Sequence, residues 1–526
     1  MYELFLLAFI LVASLWLIIS KSRNKSKSGL SLPPGPRALP ILGHLHLLTP
    51  LVHQAFRDLS AKYGPLMHLR LGSVNFVVAT TPDLAKELLK THELSYSSRK
   101  MNTAINLVTY DNATFAFAPY DTYWKFMKKL STTELLGART IRQFLPGRTR
   151  EIHGFIKGLA ERSEGRESVN LTQELLKMSN NVISQMMLSI KSSDTDNQAE
   201  EARNLVREVT QIFGEFNVSD FIKVCKNLDV QGFKKRAMDI HKRYDAFLEK
   251  IISDREKLRS QRKLGAASHV QNHGVEDKVR DFLDILLDVA EDNNSEVTIT
   301  RNHIKSLILD YFTAATDTTA ISVEWTISEL INNPRVLKKA QEEVDKVSEG
   351  KRLICEADIP NLPYINAIIK ETMRLHPPIT LITRKGVQDC VVNGYSIPKG
   401  TILCVNIWAM GRDPNIWDNP LEFRPERFLE GKGSALDIKG HHYELLPFGS
   451  GRRGCPGQPL ALQELPVVIG SLTQCFTWKA LDCEGKMVPE GKTIEMNERP
   501  GLTAPRANDL FCIPVARVNP IPFLQL

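Results

Sequence analysis

The chain has 526 residues, of which 43% are hydrophobic and 24% are charged, a balance typical of a globular protein. Its net charge of +7 is mild for this length and does not indicate a nucleic-acid-binding protein. A membrane surface or an acidic protein partner fits this charge better. The eight cysteines are dilute and scattered, which excludes a disulfide-rich scaffold and is typical of a reducing compartment.

The N-terminal segment has the pattern of a membrane anchor. Residues 4–20 are apolar and uncharged, close to the shortest length that spans a bilayer, and basic residues follow at positions 21, 23, 25 and 27. The positive-inside rule then predicts that the remaining chain stays in the cytosol. A cleaved signal peptide, the alternative, would carry its positive charges before the apolar run. We expect an anchor over residues 1–20, a basic and proline-rich hinge over 21–40, stiffened by Leu32-Pro33-Pro34-Gly35-Pro36, and one large domain over 41–526.

The body of the chain carries helical and strand patterns in turn. Helical periodicity covers residues 53–63, which Gly64-Pro65 end, and residues 82–90. Alternation between them predicts a hairpin over residues 66–79 that turns at Gly72-Ser73. Further along, we predict helices over much of 170–250 and over 460–475, a mobile surface loop over 254–282, and short strands near 391–392 and 402–407.

A run without Gly or Pro predicts one long central helix over residues 303–331. It is apolar nearly all round, so we expect it to be buried. Asp317 and Thr318 interrupt the apolar run, and a carboxylate in a core is costly unless it is partnered. A threonine hydroxyl can bond back to the carbonyl four residues earlier and loosen the helix, which leaves room for small molecules. Polar residues that merely satisfy one another inside a core helix are the alternative.

The most informative stretch runs from Phe448 to Gly457, where Cys455 lies in a Gly-rich loop just before an apolar helix. A helix N-terminus and nearby backbone N–H groups favour the thiolate form of this cysteine. Gly451 and Gly457 would let the backbone approach a flat, bulky group, and Arg453 supplies a forked donor for a carboxylate. A flat ligand with carboxylates and a thiolate-accepting metal describes haem.

Three other readings of this stretch deserve comparison. Its glycines match a dinucleotide-binding fingerprint, but no good strand precedes them and no acidic residue follows about twenty positions later. A zinc site would require cysteine pairs of the C-x-x-C type, and the eight cysteines contain none. A buried structural cysteine in a turn remains the default for a lone cysteine.

The same stretch resembles the haem-binding loop of the cytochrome P-450 superfamily, F-x-x-G-x-R-x-C-x-G. All five defined positions are present, as Phe448, Gly451, Arg453, Cys455 and Gly457. The resemblance implies a mainly α fold with a smaller β-rich part, in a single large domain behind the N-terminal transmembrane anchor. It also implies haem b with Cys455 as the thiolate ligand, O2 as the oxidant, and NADPH electrons delivered by a membrane-bound reductase, since no flavin-like segment is visible.

The resemblance extends to other motifs. Trp124 and Lys128 match W-x-x-x-R/K, whose side chains would donate to a haem propionate, although this pattern alone also describes a core tryptophan beside a surface lysine. Lysine binds as a point charge without the fork of the more usual arginine. Arg384 is a candidate donor to the second propionate.

The acid–threonine pattern of the central helix also matches the family. Asp317 and Thr318 then correspond to the residues that supply and organise protons, while Ala315 replaces the usual glycine and narrows the groove. Glu371 and Arg374 match E-x-x-R, with Arg427 as the third member, and we expect a structural role for all three. A surface ion pair is the alternative for such spacing.

We expect a basic face near the thiolate to meet an acidic reductase, with Lys128, Lys129 and Arg452 as candidates. Two other functions are alternatives. Some haem-thiolate proteins isomerise or dehydrate peroxides without reductase, but they tend to lack the acid–threonine pair. A non-catalytic haem carrier or sensor is the other.

Longer stretches resemble plant microsomal members of the family that modify flavonoids. This resemblance implies a location at the endoplasmic reticulum membrane. Among these stretches are the LPPGP hinge, residues 115–120, residues 213–221 and residues 499–506. The nearest resemblance is to flavone synthase type II, which converts flavanones to flavones by a C2–C3 desaturation, with flavanone 2-hydroxylase as its sibling activity. By analogy the substrate-pocket candidates, each equally explicable as ordinary core, are Phe115, Phe117, Phe216, Ala314, Ala315, Thr380, Leu381 and Leu502.

Overall fold

The computed structural model describes residues 30–48, 50–111, 113–189, 196–267, 280–489 and 491–524. Its α-helices are α1 Val52–Tyr63, α2 Pro82–Lys86, α3 Thr103–Val108, α4 Thr122–Leu130, α5 Ala138–Gln143, α6 Leu145–Gly165, α7 Leu171–Leu188, α8 Asp196–Gly214, α9 Phe233–Ala267, α10 Phe282–Glu291, α11 Arg301–Asn332, α12 Pro334–Ser348, α13 Pro363–Leu375, α14 Ile407–Met410 and α15 Gln458–Cys475. Its strands are β1 Leu66–Leu71, β2 Val74–Ala79, β3 Val169–Asn170, β4 Leu381–Lys385, β5 Cys390–Val392, β6 Tyr395–Ile397, β7 Ile402–Asn406, β8 Phe476–Ala480 and β9 Phe511–Ala516. The prediction of a mainly α fold with a smaller β-rich part is confirmed.

The β-rich part consists of three small sheets in the described chain. The largest has the order β1-β2-β7-β4, in which β2 runs parallel to β7 and the other pairs are antiparallel. The predicted hairpin is present, with Leu66 opposite Ala79, and Gly72 turns the chain at φ +59°, where a side chain would collide with the Phe221 carbonyl. The other sheets are β3-β9-β8 and β5-β6.

Helix α11 crosses the core, as its sequence predicts. It spans Arg301–Asn332, and Thr300 and His303 form a capping box at its start. Most of its side chains are buried, because it packs against α7 on one side and against α13 and α15 on another. The predicted long, buried central helix is therefore confirmed, although Asp317 and Thr318 themselves are only half-buried.

The prediction of a surface loop over residues 254–282 is wrong for its first half. Helix α9 continues to Ala267, and residues 268–279 lie outside the described residues. The helix persists because its polar residues are good helix formers and its arginines are paired. Arg255 binds Asp281 at 2.7 Å and Arg259 binds Asp288 at 2.5 Å, which ties α9 to α10.

The second half of the proline-rich hinge is attached to the body. The backbone N–H of His68 in β1 donates to the carbonyl of Pro34 at 2.8 Å, and the His44 ring bonds the carbonyl of Pro36 at 2.9 Å. The predicted anchor over residues 1–20 lies outside the described residues. Among the helices that are described, none is long and apolar enough to cross a bilayer.

Candidate functional site

Cys455 lies in a turn immediately before helix α15. Its backbone N–H donates to the carbonyl of Phe448 at 2.9 Å, which closes the loop. Burial raises the pKa of the Cys455 thiol, while backbone N–H groups of Gly457 and Gln458 directed at the sulfur and the nearby charge of Lys128 act in the opposite direction. The side chain nevertheless remains accessible. An accessible sulfur in a buried setting, aimed at by helix-terminal N–H groups, suits a thiolate that meets a bound metal.

The structure explains the glycines at positions 451 and 457 differently. Gly457 lies beside the sulfur, but a Cβ there would make only an ordinary contact of 3.7 Å with Cys455 Sγ, so the described residues place no requirement for glycine at this position. Gly451 has φ +67°, and a Cβ there would lie 2.3 Å from a carboxylate oxygen of Glu93. Its need for glycine therefore comes from the backbone turn and from Glu93, rather than from the flat ligand that the sequence suggested.

Four predicted donors converge beside this loop. Trp124 is buried in α4, and the guanidinium of Arg453 lies 4.4 Å from the centre of its indole ring. Arg384, in β4, points a guanidinium N–H toward the Arg453 carbonyl at 3.4 Å. Lys128 Nζ donates to the carbonyl of Gly454 at 3.1 Å.

A fifth donor, Arg99, belongs to the same cluster and was not predicted from the sequence. Burial lowers the pKa of Arg99, and the charges of Cys455 and Asp310 act on it in the opposite direction. Arg99 lies in an irregular segment with no periodicity and no motif around it. Only its proximity to the other cations in the folded chain reveals it.

Among the described residues, the donor cluster of Arg99, Trp124, Lys128, Arg384 and Arg453 forms no salt bridge, although the charges of Asp310, Glu93 and Asp121 act on Arg99, Arg384 and Arg453 respectively. Burial and the neighbouring cations Arg99 and Arg453 lower the pKa of Arg384, and burial and Arg99 lower that of Arg453 to about 9. Buried N–H groups of Arg99, Trp124 and Arg453 have no hydrogen-bond partner among the described residues. Crowded cations with orphaned donors are the setting for a ligand that carries carboxylates.

Asp317 and Thr318 occupy neighbouring positions in α11. The Thr318 hydroxyl donates to the Ala314 carbonyl at 2.7 Å, the back-bond that the sequence analysis anticipated. Burial raises the pKa of Asp317 to about 6, and the charges of Arg499 and Arg207 act against that rise. The Asp317 carboxyl can therefore hold or release a proton near neutral pH.

The predicted E-x-x-R cluster is assembled in full. Glu371 and Arg374, both in α13, are inaccessible and form a bidentate pair with distances of 2.7 and 2.8 Å. Arg427 Nε joins at 2.9 Å from Glu371. Arg374 also donates to the carbonyls of Pro420 and Glu422, so the cluster fastens α13 to the chain that leads toward the Cys455 loop.

The substrate-pocket candidates divide into groups. Phe115 stacks on Trp124 at 5.9 Å between ring centres, and Phe117 meets Phe213 edge-on at 6.1 Å. The end of α8 reaches the loop of Leu502, since a Cβ on Gly214 would lie 2.2 Å from the Leu502 nitrogen.

Small or partly accessible residues provide the other candidates. Ala314 is exposed on the mostly buried α11, and the neighbouring candidate Ala315 is partly exposed, as are Thr380 and Leu381 at the start of β4. Phe216 differs from the rest, because it is 49% exposed and stacks on Phe221 at 5.2 Å. No described contact joins Phe216 to the other candidates.

The structure leaves one of the three basic residues proposed for a docking face with an available charge. Arg452 is already paired with Glu93, and Lys128 faces the Cys455 loop. Lys129 is exposed and has no ion pair among the described residues. Lys129 is therefore the one of the three whose charge remains available to a partner.

A family model described as "Cytochrome P450" matches residues 33–504, which is most of the chain. The chain belongs to the cytochrome P450 family. It is 70% identical to "Cytochrome P450 93B16" of Glycine max, over 100% of this chain and 99% of the relative. It is 57% identical to "Cytochrome P450 93B2" of Gerbera hybrida, over 94% and 93%, and 46% identical to a "2-hydroxyisoflavanone synthase" of Glycyrrhiza echinata, over 96% and 95%.

A solved structure of a zebrafish cytochrome P450 with progesterone shares the fold. The TM-score is 0.72 at 24% identity, and the match covers 88% of this chain and 99% of the other. As a P450, the protein is a haem monooxygenase of the flavonoid-related plant group. It carries haem with a cysteine thiolate, uses O2, receives NADPH electrons through a reductase, and acts on a small organic substrate.

The donor cluster fits haem. Its orphaned N–H groups suit two propionates, and the accessible sulfur of Cys455 lies within electrostatic range of Arg99 and Lys128 in the same cluster. Cys455 would hold the iron, and Arg99, Trp124, Lys128, Arg384 and Arg453 would hold the propionates. The thiolate favours cleavage of the O–O bond, which is the chemistry that the bound haem supplies.

Proposed function

We propose that this P450 converts flavanones to flavones by introducing the C2–C3 double bond. The observation that carries the proposal is the set of aromatic and small apolar side chains around the candidate site, led by Phe115, Phe117 and Ala314. A planar aromatic substrate would pack between such rings, with the small alanine leaving space beside it. Similarity over nearly the whole chain to a 2-hydroxyisoflavanone synthase, a name that specifies a flavonoid-type skeleton, supports the substrate class.

Different residues of the chain would orient the substrate, hold and transfer a proton, and support the scaffold. Phe115 and Phe117 would exclude water and orient the substrate, because apolar walls around a polar reacting centre suppress side reactions. Asp317 would hold a proton on its carboxyl, whose pKa is about 6, and pass it toward the Thr318 Oγ1. Glu371, Arg374 and Arg427 would keep the scaffold in place without touching the substrate.

Flavanone 2-hydroxylation is the second candidate. The relatives named 2-hydroxyisoflavanone synthase favour it, since their name describes a hydroxylated product. Both outcomes begin with removal of hydrogen from a carbon next to the ring oxygen and the aryl group. They differ in whether a second hydrogen is lost or oxygen is added, which depends on substrate position to within a fraction of an ångström.

We also propose a location at the endoplasmic reticulum membrane. Residues 1–20 would be a single-pass anchor, residues 21–40 a hinge, and residues 41–526 the cytosolic haem-thiolate domain. The apolar N-terminal run, with basic residues directly after it, supports this arrangement. Separating membranes from cytosol and digesting intact microsomes with protease tests it, because the body should be membrane-bound and cleavable.

One assay tests the activity. Membranes that contain the protein are incubated with naringenin, with and without NADPH and reductase. NADPH-dependent loss of two hydrogens supports desaturation, and NADPH-dependent gain of one oxygen supports hydroxylation. Turnover of an organic peroxide without NADPH would instead favour the isomerase class and contradict the proposal.

A further inference from the structure

Asp310 of α11 forms an unusual set of contacts outside the predicted motifs. Its Oδ1 accepts from the Thr114 hydroxyl at 2.6 Å. Its Oδ2 accepts from the backbone N–H groups of Phe115 at 2.6 Å and Ala116 at 3.2 Å. Asp310 is only 8% exposed and Thr114 is fully buried, so these contacts lie inside the protein.

The segment that Asp310 holds has no regular secondary structure. Residues 113–118 lie in turns and irregular chain, where the Ala118 N–H donates to the Thr114 carbonyl at 3.0 Å while the Phe115 and Ala116 N–H groups donate to Asp310. A buried N–H without an acceptor costs free energy comparable to a lost hydrogen bond. The carboxylate supplies acceptors for two successive N–H groups and one hydroxyl, and it thereby decides where this segment lies against α11.

The far end of the segment is fixed by the donor cluster. Arg453 donates to the Ala118 carbonyl at 2.6 Å, while its guanidinium covers Trp124. Phe115, stacked on Trp124, belongs to the attachment point at Asp310, and Phe117, packed on Phe213, lies between the two attachment points. We therefore expect a change at Asp310 to affect Phe115 and Phe117 more than Ala118, which Arg453 also holds.

We propose that Asp310 is a positioning residue that sets the placement of Phe115 and Phe117, and with it the orientation of the substrate. It acts through the Thr114–Ala116 backbone rather than by touching the substrate. The part of this inference that concerns substrate orientation rests on the proposed function, whereas the part that concerns the backbone does not.

The test compares Asp310→Ala, Asp310→Asn and the control Glu324→Gln in the haem-loaded protein. Glu324 lies on the same helix and is 2% exposed, and it accepts from the Thr172 hydroxyl at 2.5 Å. Like Asp310 it is a buried carboxyl that binds a threonine hydroxyl, but its described hydrogen bonds do not involve residues 113–118. Asparagine retains a carbonyl oxygen for the two N–H groups, and alanine does not.

The first readout is hydrogen exchange of a peptide covering residues 113–118. Exchange at the Phe115 and Ala116 amides should be about tenfold faster in Asp310→Ala, since two buried hydrogen bonds are lost. It should stay near the wild-type rate in Asp310→Asn and in Glu324→Gln. Unchanged exchange in Asp310→Ala, or an equal increase in Glu324→Gln, would overturn the inference.

The second readout is ligand binding and product ratio per mole of haem. The spectral Kd for naringenin should rise about tenfold in Asp310→Ala, and the ratio of desaturated to hydroxylated product should change about threefold or more. The Kd for 4-phenylimidazole, which binds haem iron directly, should also rise. Wild-type values for both ligands in Asp310→Ala would contradict the proposal.

If Asp310→Ala does not accumulate as holoprotein, Thr114→Val removes one contact and should give about threefold faster exchange in the same peptide. Wild-type exchange in Thr114→Val would then count against the proposal. If the wild-type protein does not respond to naringenin, the proposed function fails, while exchange and the azole Kd still decide the role of Asp310.

Discussion

The ammonium nitrogen of Lys128 lies 3.1 Å from the carbonyl oxygen of Gly454, the residue before Cys455. This contact links α4 directly to the loop that carries the sulfur. Its charge also acts on Cys455 itself, in the direction that favours the thiolate. The lysine thus serves the loop as well as the propionate that the motif implies.

Replacing Lys128 should weaken haem retention. Lys128→Met removes a charged donor, and hydrogen bonds to charged groups contribute about 1.5–3 kcal/mol, so transfer of haem to an acceptor protein should be about tenfold or more faster. Lys128→Arg should retain most of the affinity. Lys125→Met, an exposed change on the same helix, serves as the control. Equal haem transfer from Lys128→Met and the control would exclude the proposed contact.

The buried Glu371–Arg374 pair should be intolerant of conservative change. Arg374→Lys loses the bidentate geometry and the donations to the Pro420 and Glu422 carbonyls, and breaking a buried pair costs about 3–5 kcal/mol. We expect little or no haem-loaded protein, measured as the CO-difference signal per milligram. Arg424→Lys alters a half-exposed ion pair with Asp418 and should accumulate normally. Normal accumulation of Arg374→Lys would argue against a structural role.

Glu464 should make the stability of the protein depend on pH. Burial raises the pKa of this α15 carboxyl to about 7 from 4.5, and its Oε1 has no partner among the described residues. A carboxyl with a raised pKa adds stability below the unfolded pKa of 4.5, and that stability is lost as the pH rises through about 7.

Glu464→Gln removes this titration. At pH 8 the variant should unfold at a higher temperature than the wild type, by the equivalent of about 3 kcal/mol, and at pH 5 the difference should be much smaller. Thermal unfolding of the holoprotein at both pH values measures this. Glu161→Gln, an exposed change in α6, should give no such dependence. A difference that does not vary with pH would contradict the assignment.

Among the three basic candidates, we expect Lys129 to contribute to docking of the reductase. Lys129→Glu should slow reduction by the reductase, and the slowing should be larger at low salt than at high salt because surface charges are screened. Stopped-flow reduction under CO at two ionic strengths measures the effect. Lys157→Glu, at an exposed position of α6, provides the comparison. Equal slowing of Lys129→Glu at both ionic strengths would remove this residue from the docking face.

Much of the fold was predictable because its signals are local. The hairpin over residues 66–79 follows from strand alternation and a turn glycine, and α11 follows from a long apolar run without breakers. The Cys455 loop was found because ten consecutive residues carry the pattern.

The rest depends on contacts between distant residues. Arg99 joins the donor cluster, and Asp310 meets Thr114, only after the chain has folded. The helical extension of α9 to Ala267 was missed because its pairing with Asp281 and Asp288 lies in another helix. The polarity of this segment, together with Gly265 and Gly274, made it resemble a loop.

The CO-difference spectrum of the reduced protein tests the central claim most directly. If Cys455 is the thiolate ligand of haem, the wild type should show a strongly red-shifted Soret band, and Cys455→Ser should lose it while Cys475→Ser, a buried cysteine of α15, retains it. A wild type without the red-shifted band, or a Cys455→Ser variant that keeps it, would contradict the account.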